Sequence, residues 1–174
     1  MNIILTIKGV GINMKQIQSI TIKHYFDSDP DASYLGEYSS HRNKFSFDRR
    51  FLRDQNQGEY RYFNPAVNPL TAKTQKERKE LYLQAKRDYE RMESLQRGNW
   101  QFIGIKAEAK ITVNGIIQHI SSGGLWGIES DIGDDYIEEV EKAELSDLKN
   151  QLKELGFKQG QINKIEVQKD DKIY

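Results

Sequence analysis

Residues 101–113 alternate without a break: Ile103, Ile105, Ala107, Ala109, Ile111 and Val113 on one side, Phe102, Gly104, Lys106, Glu108, Lys110 and Thr112 on the other. A period of two makes a strand with one buried and one mostly polar face. Asn114-Gly115 follows, the dipeptide best suited to a two-residue hairpin turn, and residues 116–121 return as the partner strand. Pairing across that turn sets Val113 beside Ile116, Thr112 near Ile117 and His119 opposite Lys110. The hairpin 101–121 constrains everything else, because its apolar face must be covered.

Two helices are available to cover it. Residues 74–96 carry Leu81, Tyr82, Ala85, Tyr89, Met92 and Leu95 at helical spacing. Thr74 and Glu77 make a capping-box pattern, and Arg97-Gly98 stops the helix. A second helix starts at Asp134 or Asp135, with Ile137, Val140, Leu145, Leu148, Leu152 and Leu155 in one stripe. Its early acids suit the positive end of the dipole, and Gly156-Phe157 reads as a Schellman stop. Residues 17–26 read as a strand with Ile20, Ile22, His24 and Phe26 on one face; residues 162–167 read as a short final strand. The expectation is a single α+β domain over residues 1–174, a mainly antiparallel sheet with the hairpin at its centre, packed against two helices. Residues 1–13 read either as an extension ahead of Met14 or as an edge strand over 3–7. Residues 27–72 read as a long ordered loop with short strands or turns, too rich in aromatics for a disordered linker, and 58–65 within it as a short aromatic strand ending in a turn.

Composition narrows the function. Lys plus Arg and Asp plus Glu both number 26, so no general electrostatic grip on nucleic acid or anionic membrane is indicated. There is no Cys, which removes disulfides, thiolate nucleophiles, Fe–S clusters and cysteine-rich zinc sites. No run approaches the roughly 20 apolar residues that span a bilayer, and the start does not read as a signal peptide. A cytoplasmic protein without membrane contact is expected.

The densest candidate site is Ser121-Ser122-Gly123-Gly124-Leu125-Trp126-Gly127-Ile128-Glu129-Ser130-Asp131 with Gly133, Asp134 and Asp135 beyond it. Glycine-rich loops cradle phosphates through backbone N–H groups. Here no Lys follows and acids stand where the anion would arrive. The glycines instead permit a bend that either tucks Trp126 into the core or turns it toward a partner. Glu129, Asp131 and Asp134 are the candidate ligands for a divalent cation of the calcium or magnesium type, although the spacing is not that of an EF-hand. No other cofactor is implied. Arg42, Lys44, Arg49, Arg50 and Arg53 interleave with Phe45, Phe47 and Phe51, and Tyr62 follows. Cations with aromatic platforms serve single-stranded nucleic acid and also dominate protein interfaces. Of the three His, His24 reads as partly buried and hydrogen-bonded, and His119 as a polar-face residue.

Four blocks carry a resemblance: Asp29-Pro30-Asp31-Ala32-Ser33-Tyr34-Leu35-Gly36-Glu37-Tyr38; Gly58-Glu59-Tyr60-Arg61-Tyr62-Phe63-Asn64-Pro65; Asp88-Tyr89-Glu90-Arg91-Met92-Glu93 with Trp100-Gln101-Phe102-Ile103-Gly104-Ile105-Lys106-Ala107; and the segment from Ser122 to Asp131. Together they resemble a family of uncharacterised small proteins from bacteriophages and bacterial mobile elements. The resemblance implies an accessory protein that binds a host macromolecule, with CRISPR or restriction systems among the targets, and brings no catalytic residues. Partner-binding candidates are Phe47, Arg49, Arg50, Arg53, Tyr62, Trp126, Asp134 and Asp135. A single-stranded nucleic acid module and a metal-dependent hydrolase or nuclease are the alternatives. An enzyme is the less favoured class, and the oligomeric state is left open.

Overall fold

A computed structural model describes residues 15–50 and 60–173. Arg53, Phe51 and the expected edge strand over residues 3–7 lie outside them. The described elements are β1 (Lys15–Phe26), β2 (Gly36–Ser39), β3 (Phe47–Asp48), β4 (Tyr62–Pro65), a 3₁₀ turn (Pro69–Thr71), α1 (Gln75–Gln96), β5 (Phe102–Val113), β6 (Ile116–Ser121), β7 (Leu125–Glu129), α2 (Asp134–Glu154), α3 (Gln159–Ile162) and β8 (Val167–Ile173). The class is α+β.

The main sheet runs β6-β5-β1-β8, with β7 also paired to β5. It is mixed, and the expectation of a mainly antiparallel sheet is corrected here. β5 and β6 are antiparallel, but β1 and β8 are parallel, Ile20 aligning with Val167 and Ile22 with Lys169. The final strand expected at 162–167 is likewise displaced. Residues 159–162 form the one-turn α3, and the strand begins at Val167. Charged residues at alternate and adjacent positions hid it, because an edge strand tolerates polarity that an interior one does not.

The described residues divide into two compact units, 15–25 with 104–125 and 134–173 in the first, 26–50 and 60–103 with 126–133 in the second. In the first unit the hairpin has the register read from the sequence: Val113 with Ile116, Thr112 with Ile117, Lys110 with His119. Asn114 and Gly115 both take positive φ, 51° and 83°, as a type I′ turn requires. Ile20, Ala107, Ala109 and Ile111 pack against Leu148 and Leu152 of α2, Phe157 and Ile162. α2 ends as a Schellman motif. Gly156 N–H donates to Lys153 O at 2.8 Å and Phe157 N–H to Leu152 O at 3.0 Å. His24 Nε2 lies 3.1 Å from Glu141 Oε1, and Lys169 Nζ is 2.5 Å from the other oxygen, so the buried carboxylate is answered from two strands.

In the second unit the segment read as a long loop contains a three-stranded antiparallel sheet, β2-β4-β3. Phe63 of β4 is fully buried and meets Tyr89 of α1 at 5.6 Å between rings. Phe47 stacks on the same Tyr89 at 5.0 Å. Leu35, Met92, Trp100 and Phe102 complete this core. α1 starts with the expected capping box between Thr74 and Glu77.

Candidate functional site: a braced aromatic platform in the second unit

Arg91 organises the site. It projects from α1, its guanidinium lying over the Trp100 ring at 3.7 Å. The Trp100 indole N–H donates back to Arg91 O at 3.2 Å. The fork of Arg91 donates to Asp131 Oδ2 at 2.6 Å and Oδ1 at 2.5 Å, and to Glu129 Oε2 at 2.5 Å. Tyr34 donates its hydroxyl to Glu129 Oε1. A planar, permanently charged fork suits two carboxylates at once, and an ammonium would not. Hydrogen bonding to Arg91 holds Asp131 below the usual aspartate range, and burial reinforced by Glu129 raises the Tyr34 hydroxyl.

The backbone of 127–132 is tied down as well. Gly127 N–H donates to Asp27 Oδ2 at 3.0 Å, and Asp27 N–H to Phe102 O at 3.0 Å. Ser130 N–H donates to Gln101 O at 2.8 Å, and its hydroxyl accepts from Gln101 N–H at 3.0 Å. Gly127 has φ +73°, a conformation that lets the chain turn directly after Trp126.

On this frame stand large apolar side chains that are about half exposed. Trp126 is 44% exposed, Phe26 52%, Tyr34 51% and Ile132 48%. The bend therefore does not tuck Trp126 into the core. Phe26 adjoins Asp27, Trp126 adjoins Gly127, Tyr34 binds Glu129, and Ile132 adjoins Asp131, so each of these side chains is attached to the braced frame.

The other candidates fall elsewhere. The guanidinium of Arg49 lies over Tyr38 at 3.7 Å, that of Arg50 over Tyr89 at 5.0 Å, and that of Arg42 over Tyr62 at 5.6 Å. The rings and cations expected to meet a ligand thus meet each other, and Phe47 is committed to Tyr89. Asp134 and Asp135 belong to the first unit, exposed in the first turn of α2. Glu129 and Asp131 are brought together, but by Arg91. Among the described residues no group of three or more His, Asp or Glu is placed to hold a metal ion.

The glycine loop has its own answer. Gly123 N–H donates to Asp147 Oδ2 at 3.4 Å and Gly124 N–H to Glu144 Oε2 at 2.9 Å, both within the first unit. The N–H groups that a phosphate would need are given to the protein's own carboxylates. Arg91 itself was missed by sequence reasoning. Its partners lie 38 and 40 positions away, and on a helix with eight basic residues across 73–97 nothing marks one Arg as different. The sole local hint is its i+9 relation to Trp100.

No family model matches the chain, and neither the curated proteins nor the solved structures hold a match. No helix among the described residues is long and apolar enough to cross a membrane.

Proposed function

We propose that the protein is a binding module that docks on a protein partner through Phe26, Tyr34, Trp126 and Ile132. The observation that carries this reading is an exposed Trp126 on a backbone held by Asp27, Arg91, Glu129 and Asp131. Exposed aromatics cost solubility unless they are covered. Trp and Tyr on a preorganised frame are the side chains that dominate interface energetics, because little conformational entropy is lost when they dock. Following the resemblance of its sequence blocks, the partner is a host protein, the setting a bacteriophage or mobile element, and the place of action the bacterial cytoplasm. Interference with a defence system such as CRISPR or restriction is the corresponding activity.

The test is capture from a bacterial host lysate with the tagged full chain and its Trp126→Ala variant, with and without nuclease. A host protein retained by the wild type in both treatments and lost by the folded variant supports the reading. Equal retention by both chains sinks the platform, and retention abolished by nuclease removes the protein partner.

A further inference from the structure

The second unit also carries a cationic groove whose charged residues lie on the first turns of α1, outside the sequence candidates. It holds about 670 Å3 and is lined by Phe45, Gln75, Lys76, Arg78, Lys79 and Tyr82. Among the described residues its charged lining is all cationic. Among the described residues, Lys76, Arg78 and Lys79 make no ion pair and no side-chain hydrogen bond. Of the acids in the first two turns of the same helix, Glu77 closes the capping box with Lys73 and Thr74 N–H groups, and Glu80 lines a different hollow with Thr71 and Leu81. Residues 75, 78, 79 and 82 share one helical face, so the cations and the ring are displayed together.

The two rings are fixed in place. Tyr82 is 47% exposed, and its inner side contacts Phe47 at 6.1 Å between centroids, which itself stacks on Tyr89. Phe45 is half-buried on a turn closed by Asn43, whose Oδ1 accepts Phe45 N–H at 2.8 Å. A ring anchored from behind with its outer region in water is a stacking platform, and positive charge beside it tracks a phosphate backbone. The first turn of α1 adds the positive end of the helix dipole.

We propose that this groove binds single-stranded nucleic acid, a base stacking on Tyr82 and the phosphates meeting Lys76, Arg78 and Lys79. A neutral chain does not oppose this, since the charge is local to the groove. Single strands are favoured over duplex because stacking needs an open base face. The site is independent of the Trp126 platform, so either assignment can fail alone.

The test is fluorescence anisotropy of a labelled single-stranded DNA, the matching RNA and the DNA duplex, titrated with the full chain over a salt series. Expected is saturable single-strand binding with a log–log salt slope of about −2 if all three cations meet phosphates. Lys76→Ala and Lys79→Ala each make that slope shallower by roughly 0.7. Tyr82→Ala weakens binding roughly tenfold at unchanged slope, Tyr82→Phe restores it, and Trp126→Ala binds as wild type. The DNA and RNA arms identify which strand is preferred. No saturable binding at low salt, tighter binding of duplex, or equal affinity for Tyr82→Ala overturns the proposal. Melting curves of each variant confirm that the fold is intact.

Discussion

The core of the first unit is aliphatic apart from Phe157, built from Ile17, Ile20, Ala107, Ala109, Ile111, Leu148 and Leu152 on long elements. That of the second is aromatic, built from Phe63, Tyr89, Trp100 and Phe102, with arginines laid over its rings. Long strands and helices repeat their burial pattern many times, so small side chains suffice. Strands of two to four residues, such as β3 and β4, have few positions to bury. Each must bury a large ring, and long side chains from distant segments must close the gaps. The second unit is therefore more dependent on single residues, and it holds both proposed binding surfaces.

The largest effects should come from the two cores. Leu152→Ala and Phe63→Ala, both at fully buried positions, should each cost about 3–5 kcal/mol. Hydrogen exchange should locate the damage. Leu152→Ala should accelerate exchange in β1 and α2, and Phe63→Ala in β2, β4 and α1. Uniform acceleration across both units in either variant would show that the division has no energetic meaning.

Next comes Gly36, with φ +140°. A Cβ there would meet Asn64 O at 2.3 Å and the Phe63 ring at 2.7 Å. Gly36→Ala should cost about 1–3 kcal/mol through backbone strain alone, and more through the clash. A urea melt showing less than that would mean β2 and β4 can separate freely.

Arg91→Lys keeps the charge but loses the fork and the stack on Trp100. A loss of roughly 1–2 kcal/mol is expected. It should also change the response to acid. Asp131 is held below its ordinary value of about 3.9, so its contribution is complete above that pH and drains away as the pH falls through the lowered value. Thermal melts from pH 6 to pH 2 should decline less steeply in Arg91→Lys than in the wild type. Parallel curves would show that the Arg91–Asp131 bond carries no linkage.

The smallest effect on stability belongs to Trp126→Ala. At a position 44% exposed it should cost no more than about 1 kcal/mol, while partner capture is lost. A large drop in melting temperature would make Trp126 structural and remove the platform.

The same contrast explains what could be read in the sequence. The hairpin register, the Thr74–Glu77 cap and the Schellman end at Gly156 were legible because each is set by residues a few positions apart. The partly buried, hydrogen-bonded character of His24 followed from the alternation of β1. The parallel pairing of β1 with β8 was not legible, since no local pattern says which strand a charged edge will choose. The Arg91 clamp was invisible for the same reason. For Trp126 the alternatives were visible but not the choice, which turned on Gly127 reaching Asp27 across 100 positions.

That parallel pair has a consequence for how the protein is made. Ile20 on β1 waits for Val167, and at about 5–20 residues per second the intervening chain takes on the order of ten seconds to leave the ribosome. Through that interval one edge of β1 has no strand beside it, whereas β2, β3, β4 and α1 emerge together and can assemble early. Synthesis should therefore yield a nascent chain whose aromatic unit is ordered while its aliphatic sheet still lacks the last strand, and ribosome-stalled chains ending before β8 should show that β1 edge as the feature most exposed to chaperones.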